Sequence, residues 1–205
     1  MYIHIKRIID FFLAFIVLVL LSPLFLVLAL WIKMDSKGPI FFKQKRIGIN
    51  RSFFQIYKFR TMLSETPSDM PTHLLDNPDA FITRSGRFLR KTSLDELPQL
   101  INILKGEMAF IGPRPALWIQ DDLANERDKY DANDVLPGLT GWAQINGRDE
   151  LPIKAKAKLD GEYIQNMSFW FDIKCFFGTF ISILKSDGVV EGGTGTLEKN
   201  KSSID

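Results

Sequence analysis

The sequence is poor in the residues that build covalent cross-links and zinc sites. Its 205 residues include a single cysteine, Cys175, which excludes an internal disulfide and fits a reducing compartment. The two histidines, His4 and His73, stand far apart, so a Cys/His zinc cluster has too few ligands. A P-loop, a GxGxxG fingerprint, a nucleophile elbow and an internal repeat are also missing. Disulfide scaffolds, zinc modules and the common nucleotide-binding loops are therefore excluded.

Acidic residues are scarce in the first third of the chain. Residues 1–62 carry ten Lys or Arg and only two acids, Asp10 and Asp35, a net charge of +8, whereas the whole chain is only +2. An apolar content of 46% excludes a disordered chain. A basic segment around an apolar run indicates an anionic membrane surface rather than a nucleic acid.

One long run lacks charge altogether. Phe11–Ile32 is 22 residues long, enough for a helix to span a bilayer, and no small-residue cleavage site follows it as in a signal peptide. Ser22 and Pro23 stand at its centre, where proline removes a backbone hydrogen bond and a kink is expected. The Ser22 hydroxyl is placed to bind a freed carbonyl.

Flanking charges favour a helix that enters and leaves by the same membrane face. Lys6 and Arg7 precede the run, and five cations follow it within 14 residues. The positive-inside rule then places both ends in the cytoplasm, which a straight span satisfies on one side only. We therefore favour a kinked helix that is re-entrant and has both ends in the cytoplasm, with a kinked true span as the alternative.

The remaining pattern predicts an α+β, mainly helical fold. Short β-prone runs at 40–42 and Phe53–Phe59, around turn residues 48–51, predict a hairpin. Residues 64–80 are typical of a loop. Helices are expected over Leu94–Met108 and residues 150–166. We divide the chain into a re-entrant membrane helix (1–36), a cytoplasmic domain (37–188) and a mobile tail (189–205).

A second aromatic-rich run covers Phe169–Leu184. It is short for a membrane span and carries Asp172 and Lys174. An interfacial helix and a buried core helix are both compatible with this pattern.

Two adjacent carboxylates, Asp95 and Glu96, lie in the segment Thr92–Pro98. Because proline is tolerated only in the first helical turn, Pro98 places both near a helix N-terminus. Helix capping explains them in one way, since Ser93 and Glu96 match the S-x-x-E capping box. A Mg²⁺ site with Asp95 and Glu96 as ligands explains them in another, and one carboxylate can also attack phosphorus.

Cations cluster in the sequence around this pair. Lys58 and Arg60 lie on a strand-like segment, Arg90 precedes the carboxylates, and Arg114 stands between two prolines. A rigidly held guanidinium suits bidentate phosphate binding. Together with the membrane segment, the set indicates an anionic phosphate substrate that meets a lipid.

These motifs resemble the monotopic phosphoglycosyl transferases, the bacterial sugar transferase family that initiates polyprenol-linked glycan assembly. The resemblance rests on KRIIDFF with the Ser22-Pro23 break, on IYKFRTM, on LRKTSLDELPQLINILKGEMAFIGPRP and on LPGLTGWAQINGR. It covers residues 6–188 and is closest to the minimal catalytic form of the family.

The resemblance implies a Mg²⁺-dependent, ping-pong transfer of a phospho-sugar from a UDP-sugar to undecaprenyl phosphate, with release of UMP. Asp95 would be the nucleophile and Glu96 would position the metal. Arg114, Lys58 and Arg90 match phosphate-binding cations, and Ser22-Pro23 matches the break of a re-entrant helix. The expected setting is capsule or exopolysaccharide synthesis, an N-acetylated amino sugar is the expected donor class, and downstream glycosyltransferases are possible partners.

Further candidate site residues are less specific. Asp160 matches a family acid, but a surface helix acid explains it as well. Arg60, Gln144 and Arg148 are further candidates, the last two for nucleotide or sugar, with a structural turn as the alternative.

Two other functions fit parts of the pattern. A polyprenyl-phosphate glycosyltransferase would release UDP, although no DxD metal motif is present. A non-catalytic, membrane-tethered assembly factor would use Asp95 and Glu96 only as helix caps.

Overall fold

The computed structural model describes residues 2–66, 78–147 and 151–185. Within these ranges the chain is mainly helical, as predicted. The helices are α1 (Tyr2–Leu20), α2 (Ser22–Asp35), α3 (Arg84–Thr92), α4 (Gln99–Lys105), α5 (Asp121–Asp128), α6 (Trp142–Ile145), α7 (Ile153–Gln165) and α8 (Phe169–Lys185). The strands are β1 (Phe41–Ile47), β2 (Phe53–Phe59), β3 (Ala109–Ile111) and β4 (Gly138–Thr140).

Helices α1 and α2 form a bent pair with an angle of 62° at the Ser-Pro break. Pro23 has no N–H for the Val19 carbonyl, and the Ser22 hydroxyl donates to that same carbonyl over 2.8 Å. The predicted break and its compensation are therefore confirmed. In the described ranges only this bent pair, and none of the helices alone, is long and apolar enough to cross a membrane.

The predicted hairpin is present, with β1 and β2 antiparallel from Phe41 opposite Phe59 to Ile47 opposite Phe53. Strand β1 extends beyond the apolar run at 40–42, because its later residues, which are mostly basic, also pair with β2. The ammonium groups of Lys43 and Lys45 lie over the Tyr57 and Phe53 rings, 5.2 and 4.0 Å from their centroids. Cation–π contacts of this kind are invisible to a hydropathy pattern.

The helix predicted over Leu94–Met108 is shorter and begins later. A 3₁₀ turn occupies Leu94–Glu96, and α4 starts only at Gln99. The helix ends at Gly106, whose φ of 84° is the left-handed conformation typical of a C-terminal cap. Prediction and structure agree better for α7 and α8, which match residues 150–166 and Phe169–Leu184 within the described ranges.

A parallel pair, β3 and β4, was not predicted. Each strand has three residues, too few for a recognisable period. The glycines around them allow close approach: a Cβ on Gly141 would lie 2.1 Å from the Gly112 carbonyl oxygen. This close backbone contact explains why glycines stand next to β3 and β4.

The bent pair packs against the rest of the protein on both sides of its break. Ala14 of α1 belongs to an apolar cluster with Phe54 and Leu100, and Leu28 of α2 belongs to another with Leu89. The two halves of the pair are thus attached to the hairpin, α3 and α4. Most outward-facing side chains of the pair remain apolar and exposed.

Helix α8 is joined to α1 by a buried polar contact. The Lys6 Nζ lies 2.6 Å from Asp172 Oδ2 and 3.6 Å from Asp10 Oδ2. The hydroxyls of Tyr2 and Tyr163 donate to the two Asp172 oxygens over 2.6 and 2.8 Å. Helix α8 therefore has a polar, buried side and an exposed side that carries six large apolar residues: Phe169, Trp170, Phe176, Phe177, Phe180 and Ile181.

Candidate active site

The adjacent carboxylates lie in the 3₁₀ turn between α3 and α4. Ser93 ends α3 with a φ of 56°, so the chain changes direction just before Asp95. Leu94 and Leu97 pack against the apolar cluster that holds Leu28 of α2. Asp95 itself is only 3% exposed. Helix α2 of the bent pair and the turn that carries Asp95 and Glu96 therefore pack against the same apolar cluster.

Glu96 is held by two cations from different parts of the chain. Lys58 Nζ and Arg114 Nη2 each donate to Oε1 of Glu96 over 2.9 Å. Burial alone would raise the pKa of the Glu96 carboxyl, but the charges and hydrogen bonds of Arg114 and Lys58 outweigh it and hold this pKa well below its usual range. Glu96 is thus a fixed anion.

The capping interpretation does not describe this turn. The Ser93 side chain makes no capping hydrogen bond, and the Glu96 carboxylate accepts from Lys58 and Arg114. The Glu96 carboxylate therefore binds neighbouring cations and does not cap a helix. Lys58 also approaches Asp95, with its Nζ 3.9 Å from Oδ2.

Asn102 of α4 connects the carboxylate segment to the strand that carries Lys58. Its side-chain oxygen accepts from the Tyr57 N–H over 3.0 Å, and its amide nitrogen donates to the Gln55 carbonyl over 2.7 Å. Asn102 is fully buried and also donates to Glu107. The amide thus pairs with the free edge of β2 as a neighbouring strand would. Asn102 was not predicted from the sequence, since an asparagine within a helix carries no distinctive signal.

The loop that carries Arg114 is fixed on two sides. On one side, the Arg46 guanidinium donates to the Pro115 carbonyl over 3.1 Å. On the other, the Gly138 N–H donates to the Pro113 carbonyl over 2.8 Å, and the Gly112 N–H binds Thr140. This arrangement joins the GPRP and LPGLTG motifs and orients Arg114 toward Glu96.

Arg90 and Arg60 occupy different environments. Arg90 Nε donates to the Thr61 hydroxyl over 3.0 Å, so this side chain turns toward β2 and away from the exposed face of α3. The Arg60 guanidinium donates to the Ser36 and Lys37 carbonyls over 2.7 and 2.9 Å. Arg60 therefore closes the C-terminal end of α2, and its contacts indicate a role in holding that helix.

Asp160 is a buried residue with a specific partner. Arg127 of α5 donates to Oδ2 of Asp160 through Nε over 2.8 Å, and its Nη2 lies 2.7 Å from the same oxygen. Burial raises the pKa of the Asp160 carboxyl, and the charge and hydrogen bond of Arg127 offset part of that rise. A surface acid is therefore excluded, and the described contacts of Asp160 join α7 to α5.

Two glutamines near the motifs have buried amide atoms without a hydrogen-bond partner among the described residues. Gln144 of α6 leaves both its amide oxygen and nitrogen unpaired, and Gln99 leaves its nitrogen unpaired. Unpaired buried amides are costly, which marks these two residues as available to a ligand. The candidate Arg148 lies outside the described residues, as does much of the loop predicted over residues 64–80.

Asp95 and Glu96 are the two carboxylates of this site that could bind a metal ion. The described residues contain no group of three or more His, Cys, Asp or Glu side chains suited to a metal ion. Mg²⁺, however, commonly uses one or two carboxylates and completes its coordination with substrate phosphates and water. The donor set of Asp95 and Glu96 is compatible with that mode.

Comparison with known proteins gives the family. The family model described as bacterial sugar transferase matches residues 1–186. The chain therefore belongs to the bacterial sugar transferase family, which confirms both the predicted family and the prediction of an enzyme.

Curated relatives include proteins of two lengths. The chain is 38% identical over 200 residues to the uncharacterized sugar transferase EpsL of Bacillus subtilis, covering 98% of this chain and 97% of that protein. It is 42% identical over 184 residues to the undecaprenyl-phosphate glucose phosphotransferase of Komagataeibacter xylinus, covering 85% and 35%. It is 38% identical over 192 residues to the UDP-N-acetylgalactosamine-undecaprenyl-phosphate N-acetylgalactosaminephosphotransferase of Aeromonas hydrophila, covering 91% and 45%. The chain thus spans less than half of the last two proteins.

Proposed function

We propose that this protein transfers a phospho-sugar from a UDP-sugar to undecaprenyl phosphate and releases UMP. The observation that carries the proposal is the Glu96 carboxylate, held by Lys58 and Arg114 with Asp95 beside it. Relatives named as undecaprenyl-phosphate sugar phosphotransferases share 35–42% of the matched residues. The polyprenol product would start a capsule, exopolysaccharide or other glycoconjugate, and downstream glycosyltransferases would then extend it.

Asp95 is proposed as the nucleophile of a two-step reaction. A carboxylate oxygen of Asp95 forms a bond to the phosphorus that carries the sugar, and the bond from that phosphorus to the bridging oxygen of UMP breaks. UMP leaves with the electron pair. A phosphate oxygen of undecaprenyl phosphate then attacks the same phosphorus, and Asp95 is released as the carboxylate.

The cations of the site support this chemistry electrostatically. Lys58 and Arg114 are fixed by Glu96, so their charges are in place before the substrate binds. Preorganised cations offset the repulsion between Asp95 and the diphosphate and stabilise charge on the transferred phosphoryl oxygens. Arg90 extends the positive side of the site, and Gln144 is proposed to bind the nucleotide or the sugar.

Asp95 and Glu96 are the residues that would hold Mg²⁺. When bound, the ion would neutralise charge on the diphosphate and lower the barrier for release of UMP. The chain's own part is to keep Glu96 ionised, which the two cations do.

The proposed setting is the cytoplasmic face of a bacterial inner membrane. The support is the 62° bend at Ser22-Pro23 together with cations before and after the apolar run. The carboxylate turn rests on the same apolar cluster as α2, so a lipid phosphate at the bilayer surface has a short path to Asp95. The exposed aromatic side of α8 fits an interfacial helix.

The donor sugar is proposed to be an N-acetylated amino sugar. The named relatives act on glucose, galactose and N-acetylgalactosamine, so the family fold accommodates several donors. A panel of UDP-sugars that tests the donor should therefore include all of these classes.

The deciding experiment measures the released nucleotide. Purified protein is incubated with undecaprenyl phosphate, Mg²⁺ and a panel of UDP-sugars, and UMP is separated from UDP. UMP with one donor supports the proposal and names the sugar. UDP would instead place the protein among the polyprenyl-phosphate glycosyltransferases.

The covalent step is tested without the lipid acceptor. With a UDP-sugar labelled at the phosphorus next to the sugar, the protein is expected to retain label, and Asp95→Asn is expected to retain none and to lose transfer. Asp121→Asn, at an exposed position of α5, is the matched control and should behave as the wild type. Full transfer by Asp95→Asn would refute the covalent role, and no turnover by either protein with any donor would favour a non-catalytic assembly factor.

A further inference from the structure

The exposed side of α3 carries cations that the proposed chemistry does not use. Arg84, Arg87 and Lys91 are exposed, and Phe88 between them is 45% exposed. Their spacing of i, i+3, i+4 and i+7 places all four on one face of the helix. The opposite face, with Ser85, Gly86 and Leu89, is buried. We call the four exposed residues the α3 cationic face.

Helix α3 runs beside the second half of the bent pair in the opposite direction. Near its start, the N–H and the hydroxyl of Ser85 donate to Asp35, at the end of α2, over 2.9 and 2.8 Å. One turn later the Phe88 ring lies 5.3 Å from the Trp31 ring. Leu89 then joins the cluster that contains Leu28. As α3 proceeds, its contacts therefore move back along α2 toward the break at Pro23.

This antiparallel arrangement places the α3 cationic face beside the end of the apolar run in α2. The apolar run of α2 ends at Ile32, Lys33 follows it, and Trp31 and Met34 there are exposed. Aromatic side chains next to cations are characteristic of the boundary between hydrocarbon and headgroups. The face is thus continuous, through the Phe88–Trp31 contact, with the apolar surface of the pair.

We infer that the α3 cationic face binds anionic phospholipid headgroups of the bilayer beside the active site. The inference rests on the membrane setting of the proposed function. Three cations surround an aromatic wedge, and α3 itself contains no acidic residue. Asp35 is an acid that faces the start of α3. Burial raises the pKa of its carboxyl, but hydrogen bonds from Ser85 and Thr83, with a smaller contribution from the Arg84 charge, outweigh it and lower this pKa. Part of the Arg84 charge is therefore compensated, whereas Arg87 and Lys91 lie farther along the face. A cation at an anionic leaflet changes binding by about fivefold, so these groups together give a clear lipid preference.

Quenching of Trp31 by brominated lipids tests this inference directly. A protein with Trp118, Trp142 and Trp170 each changed to Phe leaves Trp31 as the only emitter. In nanodiscs of phosphatidylcholine, brominated phosphatidylglycerol is compared with brominated phosphatidylcholine at the same mole fraction. We expect stronger quenching by the phosphatidylglycerol, and near-equal quenching by the two lipids in Arg84→Gln/Arg87→Gln/Lys91→Gln, because each removed cation costs about fivefold in binding to an anionic leaflet.

Two controls make the result specific. Lys129→Gln/Lys154→Gln/Lys158→Gln removes the same charge from exposed positions elsewhere and should keep the preference at Trp31. A second background that keeps only Trp170, on the exposed side of α8, should report no change when the α3 cations are removed. High salt should weaken the preference at Trp31, because it screens exposed charges.

A second measurement uses the protein with all its tryptophans. The wild type and both triple variants are reconstituted in phosphatidylethanolamine and phosphatidylglycerol and then extracted. Native mass spectrometry counts the lipids that remain bound to each protein. Fewer bound phosphatidylglycerol molecules in the α3 variant alone would support the inference. Equal quenching of Trp31 by both brominated lipids, or a preference that survives the α3 substitutions, would overturn it. Neither readout needs turnover, so a failure of the proposed transfer reaction remains separate.

Discussion

The Nζ of Lys58 donates to Oε1 of Glu96 over 2.9 Å, so a residue of the hairpin is fixed to a residue of the turn before α4. Glu96→Gln removes the negative charge that compensates Lys58 and Arg114. We expect phospho-sugar transfer to fall at least about a hundredfold and unfolding stability to fall by up to about 3 kcal/mol, because the buried Lys58 and the half-buried Arg114 lose their partner. UMP release and thermal unfolding measure the two effects, with exposed Glu65→Gln as the control.

The same carboxylate gives a pH signature. Its pKa is lower in the folded protein than the unfolded value of about 4.3, so its stabilising effect is complete above that pH and is lost as the pH falls toward the folded pKa. The difference in unfolding midpoint between wild type and Glu96→Gln should therefore be constant from about pH 5 to 8 and shrink below about pH 4. A difference that grew on acidification would contradict the assignment.

Asn102→Leu tests whether the amide of α4 positions Lys58. It removes the hydrogen bonds to Tyr57 and Gln55 while keeping a similar volume. We expect a stability loss of about 2–4 kcal/mol and a roughly tenfold lower kcat, with a nearly unchanged KM for the UDP-sugar. Steady-state kinetics separate the two constants. Asn166→Leu, at an exposed position, should change neither, and an unchanged kcat in Asn102→Leu would limit Asn102 to a structural role.

The buried pair of Arg127 and Asp160 distinguishes a structural acid from a catalytic one. If the pair serves the fold, as its described contacts indicate, Asp160→Asn, Asp160→Leu and Arg127→Met should each cost about 3–5 kcal/mol. The double variant Arg127→Met/Asp160→Leu should cost less than the sum of its two single changes. Chemical unfolding provides these values. An Asp160→Asn protein with wild-type stability but no UMP release would instead assign Asp160 to the reaction.

Pro23→Ala tests the origin of the bend in the α1–α2 pair. Alanine restores the N–H that can bind the Val19 carbonyl, so the helix is expected to straighten and place its two ends on opposite membrane faces. Single cysteines at positions 4 and 37 of a Cys175→Ser protein can be labelled with an impermeant maleimide from either side. Both should react from the cytoplasmic side in the parent, and from different sides after Pro23→Ala. Reaction of both from one side in the variant would show that proline is not the cause.

The sequence predicts the parts of this protein that depend on local chemistry. The break at Pro23 follows from proline geometry, the hairpin from turn residues between β-prone runs, and α8 from apolar length, and each is present. The structure also joins Lys58 and Arg114 to Glu96. The resemblance implies cations near the carboxylates as phosphate-binding groups, and that role stays a prediction.

Long-range pairing accounts for what the sequence does not reveal. Strands β3 and β4 are too short to carry a period, and their contact depends on glycine backbones that meet across 26 residues of chain or more. Arg60 and Asp160 are further candidates for the site in the sequence, yet Arg60 closes α2 and Asp160 binds Arg127. Which charges meet is decided by tertiary packing, and an isolated charge in a sequence does not report its partner.

The contact between Lys6 and Asp172 has a consequence for biosynthesis. A ribosome makes the two residues 166 positions apart, an interval on the order of ten seconds at common translation rates. During that time Lys6 has Asp10, one helical turn away, as its nearby acid. Helix α1 can therefore make its contact with Asp172 only after α8 has left the exit tunnel, so truncated nascent chains lack the last support of their N-terminal helix.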